Sequence, residues 1–332
     1  MRERAAGTLA GCWRCGLALI AAITFSATLP VADAGAVAAG ASAGEPATPG
    51  GPPMLRRLTE SQYRATIADV FGADMPVVAR FERALRSDGL IAVGTSEAGL
   101  SAFSIEQYDA SARAIATAVV SEEGRDRLVP CTPDSAQQFD QACATTFVNH
   151  YGPQLFRRPL SAAEVESWLG IARTAQERLG GFYQGLEFAL AGMLVAPDFL
   201  LRIERSEADP ETPGGRRLDA FSRATRLSYF LTGSTPDRQL LDAAARGDLD
   251  RPEGLAREVD RLMAGSRFES AVRDFFADML YFDLFADLAK DPLIYPAFNS
   301  TVAEDAREQT LRTITDHLLE REGDYRELFT TR

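Results

Sequence analysis

The sequence predicts an all-α fold, a multi-helix globular body behind a signal peptide and a flexible linker. Three observations carry that expectation. From about residue 58 onward apolar residues recur at helical spacing, capping signatures mark one helix start after another, and no sustained period-two run closed by hairpin turn residues occurs. With 332 residues, 46% hydrophobic and 25% charged, the chain has material for a sizeable core and for one or two domains.

Residues 1–34 place Arg2, Arg4 and Arg14 before an apolar stretch from Gly16 to Leu29, then Pro30 and the small-residue end Ala32-Asp33-Ala34. That order is a secretory signal peptide, and its apolar run is shorter than the ~20 residues a bilayer span needs. Leu9-Ala10-Gly11-Cys12 resembles a lipoprotein box but precedes the apolar run, so it is read as coincidence. Residues 35–53 are almost wholly small residues and proline, a flexible linker.

The first helix starts at N-cap Thr59 with box partner Gln62 and a Leu58 to Tyr63 staple, and ends at Gly72. Residues 86–102 read as irregular, and Ser104 with Gln107 as the start of a second helix. A third runs from about 136 to 151, where Gly152-Pro153 breaks it. Ser161 and Glu164 box the next, with a Leu160 to Val165 staple, and Leu186, Leu190, Met193 and Leu194 mark one that stops near Pro197. The polar stretch 205–217 is the best internal boundary, a linker or long surface loop that divides a helical domain at 54–204 from a second at 218–332. In that second part, helices start at Asp219, at Thr235-Pro236, near Pro252, at Ser266 with Glu269, and at Ser300 or Thr301. The Ser266 helix, with Phe268, Val272, Phe275, Phe276, Met279 and Leu280, is expected to be the densest piece of core. Asp324 to Glu327 reads as a capping box with barely two turns before Arg332, so a longer protein is expected, C-terminally truncated here.

Lys and Arg number 35 against 47 Asp and Glu, a formal charge of −12, which excludes a passive basic surface for nucleic acid or anionic lipid. Signal removal takes away three basic and two acidic residues and leaves the chain one unit more acidic. No later segment is long and apolar enough to span a membrane. His150 and His317 are the only histidines, too few for a His-rich metal site. Cys12 and Cys15 leave with the signal, and Gly16 rather than His follows them, so they are no haem attachment site. Cys131 and Cys143 then form an even pair in an oxidising compartment and read as one disulfide, contributing about 3 kcal/mol. The alternative is two thiols with Cys143 buried on a helix.

The motif search excludes a Gly-x-Ser-x-Gly elbow, His-Glu-x-x-His, a Walker loop and a Rossmann glycine triplet. Gly94 to Gly99 has the wrong spacing to make Ser96 a nucleophile. His150 reads as a cation or capping donor at a helix end, His317 as a structural histidine. Arginines inside apolar text are more informative. Arg157, Arg158, Arg202 and Arg226 are expected in structural ion pairs, with Arg202 and Arg226 largely buried and held by carboxylates such as Glu204 or Asp198. A ligand carboxylate or phosphate is the sharper reading of the same residues.

The segments Arg57 to Tyr63, Phe156-Arg157-Arg158-Pro159-Leu160, Pro197 to Glu204, and Leu227 to Leu231 with Pro236-Asp237 resemble, in order, the markers of a family of large secreted bacterial proteins catalogued as domain of unknown function 1592, with associated 1587- and 1595-type segments. The cysteine pair ahead of the Phe-Arg-Arg-Pro motif is similar too. Thr232 and Asp88-Gly89-Leu90 depart from the pattern, so no ligand site is carried over near them. The resemblance implies a helical extracytoplasmic protein that continues into a cytochrome-like segment with a Cys-x-x-Cys-His haem c site. No cofactor is expected in this chain itself. The leading expectation is a periplasmic or cell-surface accessory module with no catalysis of its own and an extracytoplasmic redox or surface partner. Its rivals are part of an enzyme whose site needs the missing segment, and a glycan-binding module.

Overall fold

The computed structural model of the chain describes residues 53–82, 85–96 and 99–330. The expected signal peptide and all of the linker but Pro53 lie outside them. Residues 52–332 form one compact unit.

The chain enters through a short strand, β1 (Leu55–Arg57), and then α1 (Glu60–Phe71). The Thr59 side chain accepts from the Gln62 amide, and the Gln62 side chain accepts from the Thr59 amide at 3.2 Å. A short α2 (Ile91–Gly94) interrupts the stretch expected to be irregular. The α3 helix (Ala102–Val120) begins at Ser101, not Ser104. The Ser101 hydroxyl accepts from the Ser104 amide at 3.0 Å, and both serine hydroxyls donate to Glu82, at 2.5 and 2.6 Å.

After α4 (Glu122–Leu128), α5 (Gln141–Phe156) starts later than expected and runs straight through Gly152-Pro153. Packing overrides propensity here. A Cβ at Gly152 would lie 2.4 Å from Leu160 Cδ1, so the glycine is where Leu160 seats against the helix. The helix ends instead at Arg157, which adopts the left-handed conformation at φ 58°. Then follow α6 (Ala162–Leu179), with the expected Ser161–Glu164 box, α7 (Phe182–Val195) and α8 (Pro197–Leu200).

The expected all-α class holds, with two small two-stranded sheets beside the helices. β2 (Leu201–Ile203) pairs antiparallel with β1, Arg57 opposite Leu201, although their residues are far apart in sequence. The expected linker is a hairpin of β3 (Ser206–Ala208) and β4 (Arg216–Leu218). Three-residue strands are too short to show alternation, which is why no periodicity betrayed them. The fold remains overwhelmingly helical.

Asp219 caps α9 (Ala220–Thr232), which ends at Gly233 with φ 64°. α10 (Arg238–Ala245) is capped by Asp237 rather than Thr235, whose hydroxyl donates to the Gln154 carbonyl at 2.7 Å. α11 (Pro252–Met263) has the expected first-turn proline. α12 (Ser266–Met279) follows Gly265 without a side-chain cap, and α13 (Ser300–Thr315) is capped by Asn299.

Three apolar clusters result. Tyr63, Ile115, Phe147, Leu190 and Phe199 belong to the largest, built on α1, α3, α5, α7 and α8. Ala224, Leu231, Leu240 and Leu262 form a second, and Phe276, Phe282, Leu311 and Ile314 a third. The α12 helix is therefore not the densest core: Phe276 alone on it is buried and Phe275 is exposed. No helix among the described residues is long and apolar enough to cross a membrane.

Candidate functional site

Each residue singled out in the sequence has a definite environment. Cys131 and Cys143 are joined, Cα to Cα 5.5 Å, so the thiol alternative is set aside. Arg158 makes the expected ion pairs: it reaches both oxygens of Glu164, at 2.7 and 3.0 Å, and Asp198 at 2.9 Å. Those contacts lower the Glu164 pKa to about 2. Arg226 pairs with Glu204, Nε to Oε1 at 2.9 Å, but it is exposed rather than buried.

Arg157 and Arg202 are corrections. Arg157 is 3% exposed and holds no carboxylate; its guanidinium donates to the carbonyls of Phe199, at 3.1 Å, of Leu201, at 2.8 Å, and of Asp198. It satisfies the oxygens left over where α8 gives way to β2. Arg202 lies over the Tyr229 ring, 5.0 Å from its centroid, with its Nε buried and unbonded. Burial pushes its pKa down to about 10. A guanidinium in apolar text can be met by carbonyls or a ring as well as by an acid, and composition does not say which.

The histidines and Ser96 are structural. His150 lies inside α5, not at its end, and Arg238 donates to its Nδ1 at 2.9 Å. Burial first, and Arg238 second, lower its pKa, so the expectation of a cation there is overturned. His317 Nε2 meets the Asp324 carbonyl at 2.9 Å, and Ser96 donates to Val93.

What sequence reasoning missed is a cleft of about 1650 Å³, walled on one side by β1 and the starts of α1 and α3, on the other by α12, residues 282–288 and the start of α13. Its surface is mainly apolar, with Tyr108, Phe230, Phe268, Phe275 and Phe285 among the lining residues. Arg86 ties the two walls: it donates to the Asp278 carboxylate at 2.5 Å and to Asp283, and stacks over Tyr281, 4.2 Å from the centroid. Asp278 in turn accepts from the Ile91 and Ala92 amides at 3.1 and 3.2 Å, capping α2 from a distance. Asp274 also lines the cleft, and burial raises its pKa against the pull of Ser61 and nearby arginines.

Of the predicted arginines, none lines this cleft; Arg57, first residue of a quoted motif, does. Arg57 is 7% exposed, and its Nε is buried without a partner. The signal that could have found it is its place in a strand facing the N-terminus of α1, but no local spacing exposes that.

The haem c implied by the resemblance does not fit the residues here. The two described cysteines are bonded to each other, His150 is engaged by Arg238 and His317 by a carbonyl. No group of three His, Cys, Asp or Glu among the described residues could hold a metal ion.

Three family models match the chain in sequence order. A protein of unknown function, DUF1587, covers residues 56–121, DUF1595 covers 143–204 and DUF1592 covers 218–332. No curated protein and no solved structure matches significantly.

Proposed function

For a chain that joins the DUF1587, DUF1595 and DUF1592 segments of one family in a single polypeptide, we propose the role of an exported helical module that binds an apolar organic ligand and serves a redox-associated assembly at the periplasm or cell surface. The observation that carries binding is the cleft: about 1650 Å³, mainly apolar, larger than the roughly 300–1,000 Å³ of ordinary small-molecule pockets. A folded chain left with so much concave apolar surface gains free energy when an apolar body fills it, about 25 cal/mol for each Å² removed from water. The Cys131–Cys143 bond and the N-terminal signal pattern support export. The link to electron transfer rests on the resemblance alone. In this reading the chemistry belongs to a partner and the chain supplies binding.

Nile red titrated into the purified protein tests it. Blue-shifted, saturable fluorescence is expected, and it should weaken at least tenfold in Phe275→Asp, an exposed cleft position outside the buried clusters. Absence of saturable binding would overturn the reading. One observation favours a second, enzymatic reading: Asp274 lines the cleft and desolvation raises its pKa, which is the direction a general acid needs. Turnover lost in Asp274→Asn with ligand binding retained would establish it.

A further inference from the structure

Arg57 is the anomaly of the cleft. Three of the other lining arginines are matched, Arg64 with Glu60 at 2.8 Å, Arg86 with Asp278 and Asp283, and Arg307 with Glu304 at 2.7 Å, and Arg80 is exposed to water. Arg57 is more than nine-tenths buried, its Nε is shielded and unbonded, and among the described residues its guanidinium makes no hydrogen bond and no ion pair. Glu82, whose carboxylate feels the charge of Arg57, is occupied. Its two oxygens accept from Ser101 at 2.5 Å and Ser104 at 2.6 Å, and those bonds lower its pKa. Glu82 therefore acts on Arg57 through the field, not as a contact. A buried guanidinium left in that condition has lost solvation that a bound anion would replace.

Beside it stands Tyr108, 4% exposed and lining the same cleft, whose hydroxyl bonds to no described residue. Burial raises its pKa, so it is a neutral donor at any ordinary pH. Both donors line the cleft, each within reach of the other's field, and Phe230, Phe268 and Phe275 line it too.

We propose that Arg57 and Tyr108 form the seat for the carboxylate of an amphiphilic organic monoanion whose apolar body lies along the aromatic wall. This rests on the binding role proposed above and names its ligand class. One buried unmatched cation fits one negative charge. A phosphate monoester would bring nearly a second charge against Glu82 and against the paired Asp278 and Asp283, and is disfavoured on that ground. A guanidinium and a hydroxyl donor match the two oxygens of a carboxylate.

The test compares two probe pairs by calorimetry, decanoate with 1-decanol and 2-naphthoate with 2-naphthol, on wild type, Arg57→Met and Tyr108→Phe. In wild type at least one carboxylate should bind ten times or more tighter than its neutral partner. Arg57→Met should abolish that preference and Tyr108→Phe reduce it about threefold or more, with binding of the neutral probes unchanged. The free Arg57→Met protein should melt at the same temperature as wild type or higher, because an unpaired buried charge has been replaced by an apolar chain of similar length. Equal binding of acid and neutral probe in wild type would overturn the seat and leave the cleft's binding role standing. Failure of all four probes would overturn both. A melting temperature several degrees lower in Arg57→Met would make Arg57 a structural residue and overturn the seat on its own.

Discussion

Glu164 shows how much one side chain can organise. It accepts from both nitrogens of the Arg158 fork, from the Ser161 amide at 2.8 Å and from the Ser161 hydroxyl at 2.9 Å, so it closes a capping box and an ion pair at once. Its pKa falls from 4.5 to about 2, chiefly through Arg158. The folded value is depressed, so the stabilisation is fully present above the unfolded pKa of 4.5 and is lost as pH falls from there through about 2. Both partners are partly exposed, so solvent screens much of it: Glu164→Gln should cost about 1–2 kcal/mol at pH 7 and much less at pH 2, by urea denaturation. Equal cost at both pH values would mean the ion pair contributes nothing. His150 has the opposite chemistry and the same slope. Its pKa is lowered from 6.5 by burial and by Arg238, so below pH 6.5 the unfolded chain takes up a proton that the folded chain resists, and stability declines as pH falls. A ring carbon of His150 that titrates by NMR above pH 6.5 would contradict this.

At the scale of elements, two glycines make the contrast between local and tertiary control. Gly152 in α5 and Gly170 in α6 are both interior helical positions. An added Cβ at Gly170 meets nothing within 4 Å, whereas at Gly152 it would lie within 2.4 and 2.8 Å of the two Leu160 methyls. Gly170→Ala should therefore raise stability by up to about 1 kcal/mol, from helix propensity alone. Gly152→Ala gains the same propensity but forces Leu160 out of its seat, for a net loss of about 1–2 kcal/mol. In a Leu160→Ala background that loss should disappear, and a double-mutant cycle by denaturant unfolding measures the coupling. Additive effects would show that the packing of Leu160 does not hold α5 through Pro153.

For the whole molecule, the disulfide and the cleft wall act at opposite ends of the chain's construction. Cys131 and Cys143 close a loop twelve residues apart in sequence, leading from α4 into α5. Replacing both by serine should cost about 3 kcal/mol, mostly by freeing the unfolded chain. A denaturant midpoint unchanged by the double substitution would show the bond to be dispensable. The opposite wall is held by ion pairs between residues nearly two hundred positions apart, Arg86 with Asp278 and Arg267 with Asp69. If the first 34 residues are removed on export, the mature protein begins at Gly35, and intact-mass measurement of material secreted by its own cells checks this; a retained Met1 would end the export proposal.

The sequence by itself determined the helical class, the starts at Thr59, Ser161, Asp219 and Pro252, and the resemblance that three family models match, since capping is chemistry between residues three positions apart and needs no knowledge of neighbours in space. The starts expected at Ser104 and Thr235 moved to Ser101 and Asp237, and at Thr235 the reason lies elsewhere in the chain, since its hydroxyl is taken up by the Gln154 carbonyl. The arginines followed the same rule. Apolar text around them pointed to burial, which Arg157 shows and Arg226 does not, and whether each met a carboxylate, a carbonyl, a ring or nothing was decided by which strand or helix came to lie opposite. Arg57 and its cleft belong wholly to tertiary structure, because β1, α3, α9 and α12 contribute to one surface only after folding brings them together. Desolvation, which makes an unmatched charge costly and hence informative, is a property of that assembled surface and of no local stretch of sequence.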